Sequence, residues 1–155
     1  MEFNPAFSRS LPETQALLRV ANFCIHPCVS RVILHGSRGL AGGFRPDSDI
    51  DLSLIVDLAW EISQPELECL LQSVYQTTQS AWQSAIEADL AIIFETSACA
   101  LKCFEQTTWE ERICPIGGLD CFGLYKIQKG FQGLVTNAGI EVRRMYPCLE
   151  IWRRA

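Results

Sequence analysis

No stretch of the sequence approaches the roughly 20 consecutive apolar residues that a membrane span requires. The first ten residues hold Glu2 and Arg9 and lack the apolar run of an export signal. These absences make a cytoplasmic protein the expectation. Internal repeats, low-complexity tracts and linker-like segments are missing as well, so residues 1–155 are expected to form a single domain around one core. There is no paired C-x-x-C spacing, although the chain has eight cysteines. In a reducing compartment most of these are expected to be reduced, metal-free and packed as small apolar side chains. Cys24, His26 and Cys28, or Cys99 and Cys103, offer ligand chemistry for zinc but not its usual paired spacing.

Cations are also in short supply. Thirteen lysines and arginines against 18 acidic residues leave a net charge of −5, which argues against broad attachment to nucleic acid. No sequence-specific nucleic-acid recognition motif is present either. The charge is unevenly spread: residues 126–155 carry Lys126, Lys129, Arg143, Arg144, Arg153 and Arg154 against Glu141 and Glu150, a net +4 on a body of −9. Such a tail suits contact with a phosphate-bearing substrate, or a solvated edge whose cations discourage sheet-to-sheet association.

With 48% hydrophobic and 20% charged residues, the chain has the composition of a folded globular protein. Ser10-Leu-Pro-Glu13 has the form of a capping box opening a helix, with Leu17, Leu18 and Ala21 as its apolar face. Residues 31–35 form a short apolar, β-branched run that stops at Gly36, as a buried strand would. Gly36, Gly39, Gly42, Gly43 and Pro46 then make a loop through Ser48. Residues 50–57 alternate, with Ile50, Leu52, Leu54 and Val56 on one face and Asp51, Ser53, Ile55 and Asp57 on the other, the pattern of a strand covered on one side. Ser63-Gln-Pro-Glu66 starts a second helix through Leu67, Leu70, Leu71 and Val74. Residues 89–94 read as a strand, 98–105 as a helix, and 122–127 and 140–152 as extended, with Pro147 at a bend or edge. The expected class is α/β in the broad α+β sense, a mixed β-sheet flanked by helices.

Two carboxylates at i and i+2 on a strand share a face, with Cα atoms roughly 6.5 to 7 Å apart, so Asp49 and Asp51 can converge on one cation. Mg2+ suits that pair, because it takes one or two protein carboxylates and fills its shell with water and substrate phosphate; Mn2+ is the alternative. Asp57 lies roughly 20 Å further along the strand and is excluded. Upstream, Gly36 lets backbone N–H groups approach a phosphate, Ser37 adds a hydroxyl, and Arg38 or Arg45 adds a guanidinium. Taken singly, these features also fit a glycine-rich turn whose exit two aspartates solvate.

Gly36-Ser37, eleven residues, then Asp49-Ile50-Asp51-Leu52 resembles the signature of the DNA polymerase beta-type nucleotidyltransferase superfamily, especially its minimal bacterial members. The resemblance covers residues 31–57 and extends to 94, leaving residues 115–155 unassigned. It implies a mixed sheet flanked by helices and a divalent-metal site on Asp49 and Asp51. It further implies a nucleoside triphosphate, such as ATP, held at Gly36, Ser37 and Arg38. A third carboxylate from a neighbouring strand usually completes the family's site, and Asp89 is the candidate for metal ligation or proton acceptance, ahead of Glu87 and Glu95. Many minimal members carry Gly-Ser-x-Ala-Arg-Gly; here Leu40 stands in place of that arginine, and Arg38 is the replacement for its charge. The implied activity is transfer of a nucleoside monophosphate to an acceptor hydroxyl of a protein, RNA or small molecule, with release of pyrophosphate. The alternative is an antitoxin-like interaction module of the same fold, partnering a small helical toxin.

Overall fold

The computed structural model describes residues 1–57, 64–95, 124–128, 131–135 and 147–155. Within them the elements are α1 (Pro5–Ser10), α2 (Pro12–Val20), β1 (Val29–His35), β2 (Ile50–Asp57), α3 (Gln64–Ala81), β3 (Ala88–Glu95), β4 (Leu124–Gln128), β5 (Phe131–Val135) and β6 (Leu149–Arg153). The strands form one sheet in the order β5-β4-β3-β2-β1-β6. Among the described strands only β2 and β3 run parallel, with α3 between them in the chain; the other neighbours are antiparallel. A parallel pair needs a crossover connection, which α3 supplies, whereas antiparallel neighbours need only a turn. The result is the expected mixed sheet packed with helices.

The apolar alternation explains the core. Val32 and Leu34 from β1, Leu52, Leu54 and Val56 from β2, and Leu90 and Ile92 from β3 share one cluster with Phe7 of α1, Leu18 of α2, and Leu71 and Val74 of α3. All three helices therefore pack on the same sheet face. The other face is not open as the alternation suggested. Ser53 and Ile55 are buried, as is Ile33 beside them, in interior strands of the sheet.

Helix α1 was not expected from the sequence. Asn4 caps it, accepting from the Ala6 amide at 3.3 Å, with Pro5 in the first turn and Phe7 fully buried. Ser10 therefore ends α1 instead of capping α2. The α2 N-cap is Leu11, with no side-chain cap, although Pro12 and Glu13 occupy the first turn as anticipated. Strand β1 begins two residues early, at Val29, and Pro147 stands at a bend before β6. The Ser63 cap, the 98–105 helix and residues 140–146 lie outside the described residues. Among the described residues, no helix is long and apolar enough to cross a membrane.

Candidate metal centre

Strand register brings the acidic residues together. In β1 and β2, His35 is opposite Asp51; in β2 and β3, Asp51 is opposite Asp89. Paired residues on adjacent strands share a sheet face, so His35, Asp51 and Asp89 form one row across three strands at one end of the sheet. Asp49 enters from the loop immediately before β2, and the Ile50 amide donates to the Glu87 carbonyl at 2.9 Å, tying this entry to that of β3. One oxygen from each of Asp49, Asp51 and Asp89 lies within 4.8 Å of the others, with Asp49 exposed and the other two half-buried. Glu95 stands opposite Asp57 at the far end of the strands, which separates both from this group.

Two like charges this close repel by on the order of 1 kcal/mol in water, and several-fold more where the site is desolvated. A shared divalent cation would relieve that repulsion, and three hard oxygen donors on one sheet end are a set that fits Mg2+ or Mn2+.

The Gly36–Ser37 turn is fitted to one of these carboxylates. Gly36 has φ +71°, and a Cβ at this position would overlap Asp51 Oδ2. Only glycine satisfies both requirements. The Gly39 amide closes the turn onto the Gly36 carbonyl at 3.0 Å. Ser37 follows Gly36, half-buried, and its hydroxyl makes no hydrogen bond among the described residues. Within the row, His35 Nε2 lies 2.7 Å from Ser53 Oγ, and both residues are buried. The sequence reading gave His35 no role; its signal was the same period-two alternation that placed Ser53 on the Asp51 face.

Arg38 is placed differently from its expected phosphate role. The side chain is buried and turned onto its own loop, where Nε donates to the Ser48 carbonyl at 2.7 Å and Nη2 to those of Pro46 and Arg45 at 3.3 and 3.4 Å. The guanidinium also lies 4.6 Å from the Phe44 ring centre. Arg45 is exposed and lies 3.9 Å from exposed Asp47, a pairing that contributes little.

The basic tail divides. Arg153 pairs with Glu150 at 2.8 Å, and Arg154 donates to the carbonyls of Val29 and His26. Both sit beside the start of β1, at the end of that strand opposite Gly36, and serve the sheet edge. Lys126 stands opposite Ala91 on β4, two positions along β3 from Asp89; Lys129, Arg143 and Arg144 lie outside the described residues.

Cys24, His26 and Cys28 do not converge as ligands. His26 Nδ1 accepts from the Cys28 amide at 3.1 Å with Cys28 Sγ 2.9 Å away, while Cys24 Sγ faces Asn22 Oδ1 at 3.8 Å. Among the described residues, the three aspartates are the one such group close enough to hold a metal ion. No protein-family model matches the chain, and a search of curated proteins also finds no match.

Proposed function

We propose that the chain is a cytoplasmic, metal-dependent nucleotidyltransferase that moves a nucleoside monophosphate from a nucleoside triphosphate to an acceptor hydroxyl. The observation that carries this reading is the joint construction of Gly36 against Asp51 within a three-aspartate group. A turn placed merely to join β1 to β2 has no need to set a left-handed glycine against one of three clustered carboxylates.

Asp49, Asp51 and Asp89 would hold the cation. A bound divalent ion supplies charge neutralisation on the triphosphate and lowers the barrier to ionising the acceptor hydroxyl. The Gly36–Ser37 turn receives the phosphates through its backbone N–H groups, with the Ser37 hydroxyl as a further donor. The acceptor oxygen forms a bond to the α-phosphorus as the α–β bridging P–O bond breaks. Pyrophosphate leaves with that bond's electron pair, and the Asp89 carboxylate accepts the hydroxyl proton.

The test is a screen of all four α-labelled nucleoside triphosphates with Mg2+ or Mn2+, following pyrophosphate release and label transfer to protein, RNA and small hydroxyl compounds. Metal-dependent transfer that disappears in Asp49→Asn/Asp51→Asn supports the reading. Transfer that persists undiminished in this variant refutes it.

A further inference from the structure

The connection from β1 to β2 contains Gly36, Gly39, Gly42 and Gly43, and the last two have positive φ with nothing packed where a side chain would be. Asp49 lies at the end of this loop and is exposed, so its position depends on whatever holds the loop. Arg38 is the residue that spans it. Its Nε bond goes to the Ser48 carbonyl, which belongs to the peptide unit joined to the Asp49 nitrogen. The turn preceding Asp49 is itself closed, with the Ser48 amide donating to the Arg45 carbonyl at 3.0 Å and the Arg45 amide to Ser48 Oγ at 2.8 Å. At its other end Arg38 is anchored, because the buried Thr14 hydroxyl of α2 donates to the Arg38 carbonyl at 2.6 Å.

Resting on the metal-centre reading above, we infer that Arg38 is a positioning residue: it fixes the peptide before Asp49 relative to the Gly36–Ser37 turn, and thereby sets the carboxylate spacing that binds the cation. The sign of its effect separates this role from two others. A cation near a metal site opposes metal binding, so deleting Arg38 as a mere charge would tighten the metal. Deleting it as a phosphate contact would weaken nucleotide and leave free metal alone. Deleting it as the loop clamp weakens free metal, because Asp49 then samples positions from which it cannot share the ion.

The experiment is titration of the full chain with Mn2+ alone, read by the electron paramagnetic resonance signal of the free ion. It compares the parent with Arg38→Met, which keeps an unbranched stem beside Phe44, and with Arg38→Lys, which keeps the charge but loses the planar fork. Circular dichroism checks folding, and Arg38→Lys carries the test if Arg38→Met does not fold. Both variants are expected to bind Mn2+ about 10- to 100-fold more weakly, as supporting-residue substitutions at metal sites do. Adding Arg38→Lys to Asp49→Asn is expected to cost little further affinity, since the clamp acts through Asp49. Parent-like or tighter Mn2+ binding in a folded Arg38 variant, or an undiminished loss on the Asp49→Asn background, overturns the positioning role. Absence of Mn2+ binding in the parent overturns the metal-centre reading itself and this inference with it.

Discussion

Gly36 and Asp51 approach so closely that the absence of a side chain on the first makes room for the carboxylate of the second. A Cβ on Gly36 would overlap Oδ2, and the glycine's φ of +71° independently disfavours any L side chain. Backbone conformation and carboxylate placement thus select the same residue. Gly42 has a nearly identical φ of +69° but open space around it, which makes it an internal control.

Gly36→Ala is expected to destabilise the protein by about 1–2 kcal/mol from the left-handed backbone alone, and by more because Asp51 must move. Its stabilisation by Mg2+ should be lost. Gly42→Ala should pay the backbone term and retain the Mg2+ response. Urea unfolding with and without Mg2+ compares the two; equal behaviour would mean that the contact between Gly36 and Asp51 has no part in the site.

Cys24, Cys28, Cys69 and Cys148 are free thiols in very different surroundings. Cys69 is exposed, whereas Cys148 is buried and its thiol is pushed up to about 11 by that burial, with the Arg31 charge pulling partly back. A thiol reagent at pH 8 should therefore modify Cys69 in the native protein and Cys148 only on unfolding. Mass mapping reads the difference. Because folding raises the Cys148 pKa, its contribution to stability is complete below the ordinary value of 9.0 and is lost as pH rises through about 11.

Glu150 of β6 is tied to β1 through Arg31 Nε at 3.0 Å, and Arg153 Nη2 of its own strand donates to it at 2.8 Å. Burial raises its pKa, but the hydrogen bond from Arg153, the Arg31 and Arg153 charges and the Arg31 hydrogen bond outweigh that, and the carboxyl ends below its ordinary 4.5. A lowered pKa means stability that is complete above 4.5 and lost as pH falls through the depressed value. Protonation also removes the Glu150 charge from beside Arg31, which is only 7% exposed. Glu150→Gln should be less stable at neutral pH and should show a flatter acid limb in thermal melts; an acid limb parallel to the parent's would assign the acid sensitivity elsewhere.

Several of these relationships were legible in the residue pattern. Alternation through residues 50–57 and the apolar run after Asp89 identified two strands, but Asp49 approaches Asp51 from the loop before β2 and not from the strand itself. The opposition of Asp51 and Asp89 was not legible, because register depends on the parallel crossover through α3. Helix α1 escaped notice because six residues carry little periodicity, and its stability comes from the Asn4 cap and buried Phe7. Ser10 then looked like a cap when it was the end of a helix. The acceptors around Arg38 are backbone carbonyls of residues 45, 46 and 48, which leave no trace in residue type. Its guanidinium therefore read as substrate-directed when it is directed at its own loop.

The most direct measurement is calorimetric titration of Mg2+ and a non-hydrolysable ATP analogue into the parent and into folded Asp49→Asn/Asp51→Asn. Each substitution keeps side-chain size and removes a negative charge from a group whose ligand oxygens lie within 4.8 Å of one another. The parent is expected to bind the analogue only with the metal present. The double variant is expected to bind neither, while being at least as stable as the metal-free parent because mutual carboxylate repulsion is relieved. Metal-dependent analogue binding of undiminished affinity in the folded double variant would contradict the metal-site assignment.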